Sequence, residues 1–185
     1  GANYLWEGRS QFAEDILRDA HRRFEREIGR RSMLTTMIGS GLAAACWDRD
    51  GRDEARTLLA HRMDMLERCA LPAAVVFGYL TAARLALSDD DETRALSLLE
   101  ELGAMGEARA IARFEIVSLA ERIRIHAGKR RADQCGSLVE RLEECLRGAR
   151  TKSTYVRPLF KLQELLARFH AAYAGYGEGA MRSLL

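Results

Sequence analysis

Apolar residues recur along this chain at helical spacing, and the blocks they form alternate in kind. The first runs through Phe12, Ile16, Leu17, Ala20, Phe24 and Ile28, with Glu14, Asp15, Arg18, Arg22, Arg23 and Glu25 between them. That is one apolar stripe with a charged back, the mark of an amphipathic helix. Gly29 is placed to end it and Ser32 to cap the next. Met33 to Trp47 is apolar all round and carries Gly39, Gly41 and Ala43 to Ala45, small residues that let a neighbouring helix come close. A second amphipathic block, from Asp53 to about Arg68, sets Ala55, Leu58, Leu59, Arg62, Met65, Leu66 and Cys69 on its inner side, and Leu71-Pro72 opens the following helix. Ala73 to Leu87 repeats the small and apolar character; its Val75-Val76-Phe77 run continues without a turn signal, so its length argues for a buried helix, not a strand. Glu92 to Leu102 is expected as a short helix closed by Gly103 and Gly106, Glu107 to Ala127 as a helix sandwiched on two sides, and Ala132 to Leu146 and Val156 to Tyr173 as further amphipathic helices.

The alternation has a period. Four charged turns lead into amphipathic helices, at Glu7-Gly8-Arg9, Asp48-Arg49-Asp50-Gly51, Asp89-Asp90-Asp91 and Gly128-Lys129-Arg130-Arg131. Aligned on Ala13, Ala55, Ala95 and Gln134, they lie 42, 40 and 39 residues apart, and Gly175 to Ala180 starts a fifth unit at a spacing of 46. Self-similarity of this length predicts helical hairpins stacked in line, each burying its apolar face on the next. The expectation is therefore an all-α chain, 1–185 forming a single helical-repeat domain. Both ends fall inside a hairpin, which suggests a piece of a longer array.

Composition narrows the function classes. The 29 basic and 27 acidic residues are spread evenly, giving a net charge of +2. That balance makes no case for direct nucleic-acid binding. The basic cluster at Lys129 to Arg131 sits on a turn, where a solvated role is expected. No stretch has the roughly 18 uncharged apolar residues of a membrane span, and the start lacks the features of a secretory signal. A cytoplasmic location with reduced thiols is expected.

Catalytic and metal motifs are not evident. Cys46, Cys69, Cys135 and Cys145 lack metal spacing, and His21, His61, His126 and His170 lie on different elements, although His61 and Asp64 are placed to pair. The acidic run Asp89 to Glu92 lacks the alternation of a calcium loop and suits a helix N-terminus. No GxxxxGK[ST] phosphate loop and no nucleophile elbow occur. The segment is expected to be non-enzymatic, with no cofactor and no metal of its own.

Tyr79-Leu80-Thr81-Ala82-Ala83-Arg84-Leu85-Ala86-Leu87, followed by an acidic turn and Ala95-Leu96-Ser97-Leu98-Leu99-Glu100, resembles the TPR-like repeats of large bacterial LuxR-family transcriptional regulators of the MalT type. So do Asp53 to Ala60, Leu66 to Pro72 and Leu119 to Ile125. The resemblance covers nearly the whole chain with degenerate motifs, and Gln134 departs from the Ala pattern. It implies a TPR-like right-handed superhelix of about four to five antiparallel helix hairpins, flanked in the full-length protein by an NTPase domain and a helix-turn-helix domain that are not in this segment. It implies too that the array is a sensor, taking a small-molecule inducer or a protein partner in its concave groove. Counting from the turns, Ser40, Trp47, Arg84, Ser118 and Arg122 fall on the groove side. Arg84 and Arg122 are expected to occupy matching places in successive repeats, which would suit an anionic or hydroxyl-rich ligand; ion pairing of Arg122 with Glu121 or Glu115 is the alternative. A general TPR scaffold holding an extended peptide or helix, or a helical domain of an enzyme, are the other readings. Apolar ends such as Leu5-Trp6 and Leu184-Leu185 would favour a homo-oligomer.

Overall fold

The computed structural model describes residues 4–5, 7–69, 71–150, 166–168, 170 and 174. Among these no strand occurs, so the chain is all-helical as expected. The helices are α1 (Ser10–Ile28), α2 (Met33–Asp48), α3 (Arg52–Leu59), α4 (Met63–Glu67), α5 (Pro72–Ser88), α6 (Glu92–Arg109), α7 (Ala112–Gly128) and α8 (Ala132–Arg150). Two compact units divide the chain, Gly1–Leu98 and Leu99–Leu185, with the boundary inside α6. Among the described residues no helix is long and apolar enough to cross a membrane.

The repeat is written in the backbone at four turns. Gly8, Asp50, Asp90 and Arg130 have positive φ, at 71°, 64°, 59° and 56°. At each, the residue after the left-handed one donates its N–H across the turn, Arg9 to Tyr4, Gly51 to Cys46, Asp91 to Ala86 and Arg131 to His126. The left-handed residue itself bonds to the carbonyl three positions back. This paired pattern is the Schellman closure, which satisfies the last carbonyls of the preceding helix; Ala110 closes α6 in the same way, with Ile111 donating to Gly106, but no buried small residue follows it five positions on. The next helix then starts in the same way four times, with Ala13, Ala55, Ala95 and Cys135 donating to Arg9, Gly51, Asp91 and Arg131. All four are completely buried. The fourth counterpart of the alanines is thus Cys135 and not the exposed Gln134, and the last spacing becomes 40. A thiol is a small hydrophobe of nearly the right size for the place that Ala holds elsewhere.

In the first unit α2 is the central helix, packing against α1, α3, α4 and α5. Its small residues make that crowding possible: Gly39, Ser40, Gly41, Ala43 and Ala45 are all buried. Ser32 caps it as expected, its Oγ accepting from the Thr35 N–H at 3.1 Å, and Pro72 opens α5. The stripe expected on α1 is only partly inside. Ala13 and His21 form its buried face, whereas Phe12, Ile16 and Ile28 are exposed, Phe12 by 56%. Arg18 of α1 clamps Glu14 and Glu54, tying α1 to α3. Asp89 pairs through both oxygens with Arg56, and Asp91 caps α6 through the Arg94 N–H, so two members of the acidic run serve the turn.

Three element boundaries differ from expectation. The block from Asp53 to Arg68 is two helices, α3 and α4, because His61 takes a left-handed conformation at φ 57°. The helix expected to stop at Leu102 runs on to Arg109, through both Gly103 and Gly106. Those glycines are places of close approach. A Cβ on Gly103 would lie 3.1 Å from Ser118 Oγ, and one on Gly106 would lie 2.7 Å from Glu115 Cγ and 2.9 Å from its backbone nitrogen. The helix cost of about 1 kcal/mol for each Gly is offset by the packing of α7 along that face. The break falls later, at Ala110 with φ 54°, so α7 starts at Ala112 and not Glu107.

In the second unit α7 and α8 pack through Ile116, Leu119, Ile123 and Ala127 against Cys135, Leu138, Leu142 and Leu146, with Ala167 completing the cluster. The apolar sides expected on α7 are buried, Phe114 and Ile125 among them. The helix expected at Val156 to Tyr173 lies mostly outside the described residues, as do Trp6 and Leu184-Leu185.

Candidate functional site

Of the five residues expected to line a groove, the structure brings two together. Ser118 and Arg122 stand one turn apart on α7 and line a cleft of about 460 Å³ among α6, α7 and α8. The others belong to the first unit. Ser40 is 1% exposed, its Oγ donating to the Met37 carbonyl at 2.9 Å, so it fills a helix contact and does not face a groove. Trp47 is half-buried beside the Arg52 guanidinium, and Arg84 is half-buried on α5. Nor are Arg84 and Arg122 counterparts. Measured from the left-handed turn residues, Arg84 precedes Asp90 by six positions and Arg122 precedes Arg130 by eight, so the counterpart of Arg84 is Arg124. The one-residue slip at Gln134 accounts for half of the two-residue displacement between Arg122 and Arg124.

The cleft is built on the glycines. With no side chains at Gly103 and Gly106, α7 comes near enough for Ser118 Oγ to donate to the Leu99 carbonyl at 2.6 Å, which fixes α7 against α6. Arg122 then reaches back to Glu100, Nη2 to Oε1 at 3.0 Å, and not to Glu121 or Glu115. Glu121 is held by Arg124 at 2.9 Å instead. From α8, Arg141 pairs with Glu107 at 3.1 Å, and the Cys145 thiol donates to Glu115 Oε2 at 3.4 Å. Glu144 completes the polar lining.

Arg122 is the unusual member. Its side chain is 18% exposed, and its Nε is buried with no hydrogen-bond partner among the described residues. Burial pulls the guanidinium down from its ordinary range and the neighbouring Glu100 pushes it back up. An Arg remains charged through such shifts, so a buried N–H on a cation is left to be satisfied. Burial, and then the Glu115 charge, push the Cys145 thiol up to about 12. It is therefore a neutral hydrogen-bond donor at neutral pH and not a nucleophile.

Four carboxylates and two guanidiniums line the cleft, so its balance is negative. That disfavours the anionic ligand expected from Arg84 and Arg122 together and leaves a hydroxyl-rich or positively charged one. The five acidic and basic members other than Arg122 carried no sequence signal of their own. The signal was the Gly103-x-x-Gly106 pair, which marks a close helix crossing once a break is ruled out. Among the described residues no three His, Cys, Asp or Glu side chains are grouped to hold a metal ion.

No family model matches the chain, and no curated protein or solved structure matches it significantly.

Proposed function

We propose that this segment is a non-catalytic binding module built from TPR-like helical hairpins, the sensor or partner-binding part of a MalT-type regulator, with the α6–α7–α8 cleft as its docking site. The observation that carries this reading is the Schellman turn at Gly8, Asp50, Asp90 and Arg130 with a completely buried Ala or Cys five positions after each. A chain that reuses one turn at near-constant spacing presents successive helix pairs in similar fashion, the design used by repeat proteins to offer a binding surface. The cleft supplies what a ligand site needs: a size within the usual range for small molecules, a polar lining in a few convergent groups, and a buried N–H on Arg122 awaiting an acceptor. Inducer capture would bias the packing of α7 between α6 and α8, and so signal to flanking NTPase and helix-turn-helix domains.

A thermal-shift screen of the 185-residue chain against oligosaccharides, amines and short peptides tests the docking site. A ligand at a hundredfold excess over its Kd stabilises by about 2.7 kcal/mol, a shift of several degrees. The same ligand should lose its effect on Arg122→Met. A ligand that stabilises both proteins equally would place binding elsewhere, and a coding sequence without phosphate-loop and helix-turn-helix regions would leave a general scaffold.

A further inference from the structure

A second cleft, also of about 460 Å³, lies within the first unit and is lined by Arg30, Arg31, Arg56, Thr57, His61 and Arg62, together with Ala60. It contains four guanidiniums and no carboxylate. Three of them have acidic partners outside the lining. Arg30 pairs with Glu25 at 3.3 Å, Arg31 with Asp64 at 3.9 Å, and Arg56 with Asp89 through both oxygens at 2.6 and 3.0 Å. Arg62 does not. It is 3% exposed, its Nη1 lies 3.3 Å from Nε2 of the buried His21, and among the described residues no carboxylate comes within ion-pair distance of it.

A buried cation with no carboxylate in contact costs several kcal/mol, and here Glu25 acts on it only from a distance. The left-handed turn at His61 breaks what would be a continuous helix and turns Arg62 inward. Gly39 of α2 leaves the room: a Cβ there would lie 2.9 Å from Arg62 Nη1 and 3.3 Å from His21 Nε2. His21 cannot neutralise the guanidinium, because an imidazole is neutral or positive. Arg62 itself carries the planar fork of N–H donors that matches two oxygens of one anion.

We propose that this cleft is an oxyanion site, in which a carboxylate or phosphate group passes between Arg30, Arg31 and Arg56 and is held at the base by Arg62. The rim pairs are exposed and open at little cost, so they can turn toward an entering anion. Burial, and then the charge of Arg30, pull Arg62 down from its ordinary range and the nearby Glu25 pushes it partly back; an oxyanion at the base would act in the same direction as Glu25. None of these residues lines the α6–α7–α8 cleft, so the site stands or falls apart from the function proposed above.

The test is a titration of the whole chain with inorganic phosphate and, separately, with succinate, at ionic strength held constant with sodium chloride. Binding is followed by the NMR signals of the arginine Nε–H groups. Saturable shifts with phosphate alone would name a phosphoryl ligand, and with succinate alone a carboxylate; either supports the site. Arg62→Met, which keeps the stem and removes the charge, should weaken binding by about tenfold or more. Absence of saturation with both anions, or an unchanged midpoint in Arg62→Met, overturns the proposal. Should that variant fail to fold, Arg31→Glu at the exposed rim decides in its place: weaker binding supports the site, and an unaltered midpoint overturns it.

Discussion

The two clefts have the same volume and opposite chemistry. In the second unit every lining guanidinium has a carboxylate beside it, and acids outnumber bases. In the first unit the lining holds only bases, and the most buried one is left without an acid. The backbone explains much of the difference. Two glycines let α7 lie close along α6, so side chains across that contact are within pairing distance. A left-handed residue between α3 and α4 instead swings one side chain away from the solvent and its possible partners. Close packing matches charges; a turn can separate them.

Substitution of Gly106 should have the largest effect, since the second cleft depends on the α6–α7 approach. In Gly106→Val the added Cβ meets Glu115 atoms, the backbone nitrogen among them, and cannot be relieved by one flexible side chain moving. A loss of about 3 kcal/mol or more is expected, because overpacking outweighs the helix propensity gained. Urea unfolding followed by circular dichroism measures it. Both tryptophans, Trp6 and Trp47, lie in the first unit, so their fluorescence reports that unit selectively. A loss seen equally by both probes would show that the contrast between the units has no energetic counterpart.

The pH response of His21 comes next. Burial, and then the charge of Arg62, hold its pKa below the ordinary 6.5. The unfolded chain therefore binds a proton that the folded one refuses, and stability falls as pH drops below 6.5 toward the folded value. A decline in stability between pH 7 and 5, read by tryptophan fluorescence in urea and reduced in His21→Gln, is expected. If His21→Gln declines as steeply, the acid loss does not come from His21, and neither burial nor Arg62 holds its proton off.

Glu100→Gln should have the smallest effect. The Glu100 carboxylate is mostly exposed, so losing its pair with Arg122 costs below about 1 kcal/mol in urea unfolding. The same change releases Arg122, and the second cleft should then accept an anion more readily, becoming more like the first. A chain destabilised by several kcal/mol would mean that the pair is structural.

How much of this was legible in the sequence depended on whether a signal was local. The helical periods, the Ser32 cap and Pro72 at the start of α5 were, because each rests on residues a few positions apart, although the α1 stripe leaves Phe12, Ile16 and Ile28 outside. The repeat was legible in its period but slipped by one residue at Gln134. Alanine had marked the buried position three times, and Cys135 does the same packing under a different letter. Gly103 and Gly106 were read as an end because a helix interior disfavours glycine; what overrides that preference is α7, a partner that no local pattern announces. At the candidate site Ser118 and Arg122 were found, but their acidic neighbours come from α6 and α8, and pairing across helices leaves no trace in spacing. Arg62 was placed correctly on an inner side, while the break that isolates its charge was not foreseen.

The four turns that carry the repeat have a consequence for how this chain tolerates change. Only the first uses Gly8 at the left-handed position; Asp50, Asp90 and Arg130 hold the same geometry with a side chain attached. Asp visits that conformation with little penalty, whereas an arginine stores roughly 1 kcal/mol in it. Evolution has thus left a small spring wound at the last corner and relaxed ones at the others, and a glycine there would let it down without touching a single contact in either cleft.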